Sequence, residues 1–168
     1  YKKELMKAYF GEVDLPYDLT FIDEPAELGT AGGLSLLRDK IKGTFIVSNA
    51  DVMLDVDYTN ALSFHESKQA VASIVTVTNH TSVPYGVVGF NEKDEVFEIR
   101  EKPKISHDIV SGMYVFSDKI FEHIFSNKSL DMDKLLQRLI GAGDLVATYR
   151  SNGLLHDMGE FQEYRKFL

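Results

Sequence analysis

Thr44-Phe45-Ile46-Val47-Ser48-Asn49-Ala50-Asp51 is the stretch that decides the fold. Four β-branched or aromatic residues in succession read as a strand buried on both faces, and Ser48 to Asp51 as its polar carboxyl end. In an open α/β sheet, ligands gather at the carboxyl ends of strands. A carboxylate at that place can hold a magnesium ion against a phosphate, which makes Asp51 the first candidate functional residue. The same residue type also forms turns by bonding its own backbone, so the pattern by itself leaves both readings open.

Upstream of this strand, Lys2 to Phe10 has helical spacing, with Leu5, Met6, Tyr9 and Phe10 apolar. Leu19 to Asp23 reads as a short strand ending in acids. Leu28-Gly29-Thr30-Ala31-Gly32-Gly33 reads as a loop, and Leu34 to Ile41 as the helix after it. Downstream, Thr59 to Lys68 is a helix and the β-branched run Ala70 to Val77 a central strand. Strand, helix, strand, helix, strand is the rhythm of an α/β fold: three layers around a mixed, mostly parallel sheet.

The second half changes character. Gly86 to Phe90 and Val96 to Ile99 flank Asn91-Glu92-Lys93-Asp94 and predict an antiparallel hairpin. Ile109 to Phe116 is a strand, with Ser117 placed to cap a helix over Asp118 to Phe125. Asp131 to Ile140 is helical. Leu145 to Arg150, Asn152-Gly153 and Leu154-Leu155 predict a second hairpin, because Asn-Gly favours the primed turns. Glu160 to Leu168 completes the pattern as an amphipathic helix.

Composition narrows the function classes. The 168 residues fit one domain, 44% hydrophobic and 26% charged, as in ordinary globular proteins. A net charge of -8 argues against nonspecific nucleic-acid binding, which needs basic patches to displace counterions. No cysteine is present, which excludes disulfides and thiolate metal sites within this stretch and is compatible with the cytoplasm. No apolar run approaches the roughly 20 residues of a spanning helix, and no signal-peptide pattern is present, so no membrane role is expected. The first residue is Tyr rather than Met, as expected of a piece of a longer polypeptide.

Three further segments carry candidate chemistry. Glycines 29, 32 and 33, just before a helix, would let backbone amides approach an anion, or simply allow tight packing. They do not make the G-x-G-x-x-G or G-x-x-x-x-G-K-[ST] pattern. Glu101-Lys102-Pro103 offers a point charge for a phosphate and an acceptor for sugar hydroxyls; as a solvated turn it needs neither. Asp157, before Met158-Gly159, is a second carboxylate at a strand end. The five His residues show no ligand spacing around His156.

Taken in order, these segments resemble the sugar-1-phosphate nucleotidyltransferases that make nucleotide sugars, of glucose-1-phosphate or mannose-1-phosphate type. The matching blocks are Glu27 to Gly32, Phe45 to Asp51, Tyr85 to Val88, Glu101 to Pro103, Ser111 to Phe116, and Asp157 to Gly159 with Tyr164 beyond. The resemblance implies a Rossmann-like nucleotidyltransferase fold and transfer of a nucleoside monophosphate from an NTP to a sugar 1-phosphate. It implies magnesium on Asp51 and Asp157, Lys102 on the sugar's phosphate and Glu101 on the sugar. Gly29, Thr30 and Gly32 would lie by the base, while Asn49, Tyr85, Gly86, Ser111 and Gly112 would help line the substrate pocket.

The family's pattern opens with a strand and a Gly-x-Gly-Thr-Arg loop that cradles the triphosphate, and this sequence contains neither. The chain is therefore expected to be an N-terminally truncated core, inactive as given. An open sheet edge would favour homo-oligomers. Ala50 replaces a usual Gly, Ser111 a usual Asn, Leu155 a common aromatic, and Glu160-Phe161 a usual Thr-Pro. The alternative is a noncatalytic, nucleotide-sugar-binding or regulatory module.

Overall fold

The computed structural model describes residues 2–159 and Arg165. The expected final helix, Glu160-Phe161 and Tyr164 lie outside the described residues.

The main sheet is built from β1 (Thr44–Ser48), β3 (Ala72–Ser82), β6 (Lys104–Ser117) and β7 (Val146–Ser151), in the order β1-β6-β3-β7. β6 runs antiparallel to both β1 and β3, and β7 runs parallel to β3. Three of the four strands therefore point one way and β6 alone is reversed, so the sheet is mixed and mostly parallel in direction. Alternation along the strands creates two cores. Phe45, Val47, Ala72, Ile74, Tyr114 and Phe116 face one side, where they meet Met132, Leu135, Leu136 and Leu139 of α4 (Met132–Ala142). Ile46, Val75, Met113 and Val115 face the other, against Ala61 and Leu62 of α3 (Tyr58–Lys68). This makes the three expected layers.

The helix ends follow from local chemistry. The Asp57 side chain accepts the Asn60 amide at 3.0 Å and caps α3. Gly143, at φ +84°, closes α4 with its amide directed at the Ile140 and Leu139 carbonyls. The spacing Met132, Leu135, Leu136, Leu139 gives α4 one apolar stripe, and all four are buried. The remaining helix with a full stripe, α1 (Lys3–Glu12), runs past Gly11 and buries none of its residues.

Several sequence expectations are corrected. Leu19 to Asp23 is not a strand, because no described strand lies alongside to satisfy its backbone. The glycine-rich segment is not a loop: α2 (Gly29–Gly32) runs into a 3-10 helix at Gly33–Leu37, so the helical stretch starts five residues before the expected Leu34 and ends four before Ile41. Ser117 makes no capping bond, and Asp118–His123 is a 3-10 helix; the Asp118 carboxylate instead accepts the Gly43 amide at 2.8 Å.

The largest correction concerns Asn152-Gly153. The expected hairpin does not form, since β7 joins β3 while β8 (Leu155–Asp157) pairs antiparallel with β2 (Val52–Leu54). Gly153 is required for another reason: a β-carbon there would collide with the Asp55 carbonyl. The first predicted hairpin does form, as β4 (Val87–Phe90) and β5 (Val96–Arg100), a separate two-stranded sheet.

Candidate active site

Asp51 and Asp157 are 106 positions apart in numbering, and the β2–β8 ladder brings them together. Val52 pairs with Asp157, and the Met158 amide donates to the Asp51 carbonyl at 2.7 Å. The Asp157 carboxylate turns back to accept the Gly159 amide at 2.9 Å. One point beside Gly159, where a β-carbon would sit, is 3.0 Å from Asp157 Oδ1 and 3.4 Å from Asp51 Oδ2. Two carboxylate oxygens from distant segments thus converge where glycine leaves room.

The main sheet supports this corner from below. β1 ends at Ser48, and the next amide, Asn49 N–H, donates to the Gly112 carbonyl at 3.0 Å. Gly112 has φ +80°, and any β-carbon there would press on the Asn49 side chain at 3.1 Å and Val52 at 3.2 Å. Glycine is needed on both counts. Asn49, Val52, Val110, Ser111, Gly112, Tyr114, Leu155 and Asp157 line a cleft of about 200 Å³. A second cleft of about 430 Å³ shares Leu155 and Asp157 and extends along Val77, Asn79, Ile109 and Leu154. Asp157 therefore stands at the junction of two clefts.

Other candidates lie elsewhere. Tyr85-Gly86 and Glu101-Lys102 meet at the base of the β4–β5 hairpin, where a β-carbon on Gly86 would be 3.2 Å from Glu101 Oε2. Lys102 Nζ is 4.0 Å from Glu101 Oε1, and both side chains are exposed. None of these four residues is among those lining the two clefts. Lys102 has φ +44° immediately before Pro103, a position from which the proline ring drives residues toward extended backbone. Strain of this kind costs about 1–3 kcal/mol and concentrates at functional sites.

Gly29, Thr30 and Gly32 have packing duties. Leu130 O accepts the Ala31 and Gly32 amides at 2.9 and 3.0 Å. β-carbons at Gly29 and Gly32 would lie 2.8 Å from the Leu130 carbonyl oxygen and 2.6 Å from that of Lys128. Thr30 Oγ1 accepts the Met132 amide at 2.8 Å and so caps α4 from a segment a hundred residues away. Ser111 is also engaged: its hydroxyl, 2% exposed as a residue, donates to the Val75 carbonyl at 2.8 Å.

Sequence reasoning did not single out Val77, Asn79, Ile109 or Leu154, and met Gly159 only as part of the block that follows Asp157. Only the period-two alternation along β3, which puts Val77 and Asn79 on one face, carried any signal for them. Among the described residues no group of three or more His, Asp or Glu residues forms a ready metal cage. Two carboxylates fit magnesium nonetheless, since this ion takes one or two protein carboxylates and fills its remaining positions with water and substrate phosphates.

A family model described as nucleotidyl transferase matches residues 1–167. The chain is 27% identical, over 98% of its length and 47% of the relative's, to the mannose-1-phosphate guanylyltransferase catalytic subunit beta of Dictyostelium discoideum. It is 31% identical over 126 residues, 69% of its length and 32% of the relative's, to the UTP–glucose-1-phosphate uridylyltransferase of Synechocystis. The chain thus spans half or less of the length of these relatives. The fold is shared with HddC from Yersinia pseudotuberculosis complexed with GMP-PN: TM-score 0.70, 22% identity, 98% of this chain and 72% of that one.

Proposed function

The chain belongs to the nucleotidyl transferase family, and on that premise we propose that it supplies the metal carboxylates and the sugar-phosphate half of a sugar-1-phosphate nucleotidyltransferase. In the reaction a phosphate oxygen of a sugar 1-phosphate attacks the α-phosphorus of an NTP. A new P–O bond forms, the bond between the α-phosphorus and the bridging oxygen breaks, and pyrophosphate leaves. Both reactants are anions, so the site has to place them together and offset their charge.

The convergence of Asp51 and Asp157 beside Gly159 carries this reading. Magnesium held there would neutralise the phosphate oxygens. Asp51 and Asp157 orient that charge, because the ladder and the Met158–Asp51 bond fix both backbones. Lys102 is assigned the point charge on the sugar's phosphate and Glu101 the acceptor for sugar hydroxyls; both stand exposed at the hairpin base. Asn49, Ser111 and Gly112 of the smaller cleft form the sugar-phosphate side, to which Tyr85 and Gly86 at the hairpin base are assigned as well. Gly29, Thr30 and Gly32 are assigned to the base side in addition to their packing contacts. The triphosphate cradle is not among these residues, so this stretch alone is not expected to turn over.

β1 is outermost in the main sheet, and among the described residues no strand covers its free edge. We therefore also propose self-association through that edge; sedimentation as a clean monomer at high concentration would remove this part. None of the described helices is long and apolar enough to cross a membrane; a cytoplasmic reaction is part of the same proposal, since its NTP and sugar-phosphate substrates are cytoplasmic metabolites.

The decisive assay is pyrophosphate release by the parent polypeptide extended upstream of Tyr1, with magnesium, a panel of NTPs and several sugar 1-phosphates. Turnover abolished by Asp51→Asn and by Asp157→Asn is the expected result. Absence of turnover with every pair, alongside calorimetric binding of a nucleotide sugar, would replace the enzyme with a sensing module.

A further inference from the structure

β6 breaks its pairing with β3 at one place. Ile74 pairs with Tyr114, but Thr76 pairs with Val110, so Ser111, Gly112 and Met113 all stand opposite the single residue Val75. Such a bulge re-aims backbone and side chains beside functional sites, and something must fix the direction in which it turns. Ser111 meets that need. Its hydroxyl donates to the Val75 carbonyl at 2.8 Å on β3 and accepts the Met113 amide at 3.3 Å on β6. The residue is 2% exposed, and Val75 beside it is fully buried, so water cannot substitute for either bond.

The bulge then leads directly to the carboxylates. Gly112, between the two anchored residues, presents its carbonyl to the Asn49 amide and gives the Asn49 side chain its seat. Two residues on is Asp51, whose carbonyl accepts the Met158 amide next to Asp157. We infer that Ser111 is a positioning residue: its buried hydroxyl locks the β6 bulge and, through Gly112 and Asn49, sets the placement of the Asp51 and Asp157 carboxylates. It touches no reacting atom. The inference deepens the proposed function, on which its metal-binding arm rests, while its backbone arm is independent of that reading.

The test uses the chain itself, wild type, Ser111→Ala and Ser111→Thr. Amide hydrogen exchange is followed at Asn49 and Met158, with Val71, whose amide donates to Leu145 O at 2.9 Å, as a control on the far strand pair. Local opening in Ser111→Ala speeds exchange at Asn49 and Met158 by about 10-fold or more and leaves Val71 unchanged. Ser111→Thr, which keeps the hydroxyl, restores protection. In the second arm, Mn²⁺ titrated by calorimetry binds Ser111→Ala about 10- to 100-fold more weakly, as for other residues that orient metal ligands, and Ser111→Thr recovers affinity.

Exchange that rises equally at all three amides, or at none, overturns the inference, because Ser111 would then serve general stability or nothing. Wild-type protein that binds no Mn²⁺ would count against the metal site of the proposed function instead, and the amide comparison would still decide the role of Ser111.

Discussion

The Gly29–Gly33 segment and the Asp51–Asp157 corner both combine glycine with polar residues, yet the molecule uses them in opposite ways. In the first, glycine removes side chains so that two backbones can touch, and the polar group, Thr30, is consumed in capping α4. In the second, Gly112 seats the Asn49 side chain, and the carboxylates of Asp51 and Asp157 turn toward a shared point beside Gly159, whose amide Asp157 accepts. Glycine next to a buried backbone carbonyl marks packing. Glycine next to two carboxylates is, in the proposed function, room for a ligand.

Substitutions should separate the two regions. Gly29→Val should be the most damaging, because it adds a branched side chain at φ +72° where even a β-carbon would lie 2.7 Å from Asp131 Oδ1. We expect about 3–4 kcal/mol lost in urea unfolding, with Mn²⁺ affinity of the folded fraction unchanged. Asp157→Asn should do the reverse, weakening Mn²⁺ about 100-fold by calorimetry while shifting unfolding by under about 0.5 kcal/mol. If Gly29→Val impaired metal binding in folded protein, the separation of the two regions would collapse.

Thr30→Val tests the packing assignment more finely. The swap keeps shape but removes the acceptor for the Met132 amide, and should cost about 1 kcal/mol in thermal or urea unfolding. A nucleotide-binding assay on the extended parent polypeptide sharpens the result, since loss of binding without loss of stability would give Thr30 a direct role on the base side of the site and none in the cap.

The smallest effect expected lies on the other core, where His65 is buried between α3 and β3 with Nδ1 2.9 Å from Ser73 Oγ. Burial lowers its pKa below the ordinary 6.5, only partly offset by Glu66. The unfolded chain therefore binds the proton more readily, so stability is full above about 6.5 and declines as pH falls below it. Urea midpoints measured across that range should drop on the acid side, and the drop should be shallower in His65→Gln.

How legible was the molecule in its sequence? The strand at Thr44, the helices α3 and α4 and the central strand β3 could be read directly, because burial of one stripe or face imposes a periodicity that survives in one dimension. The nearby Asn49 and Asp51 could be flagged for the same reason, as polar residues ending an apolar run. Asn152-Gly153 shows where this fails. The local turn preference is real, but β7 finds its partner in β3 and β8 in β2, and tertiary pairing prevails over it.

By itself, then, the sequence determined the three-layer α/β class, the two apolar faces of its central strands and the residue types able to bind phosphate and metal. Tertiary structure alone decided which of those residues meet. Asp51 and Asp157 become neighbours through a three-residue ladder, Thr30 reaches α4 across a hundred positions, and Ser111 points inward at a bulge. Periodicity is a property of neighbours along the chain, whereas convergence depends on which backbones satisfy one another's hydrogen bonds in space.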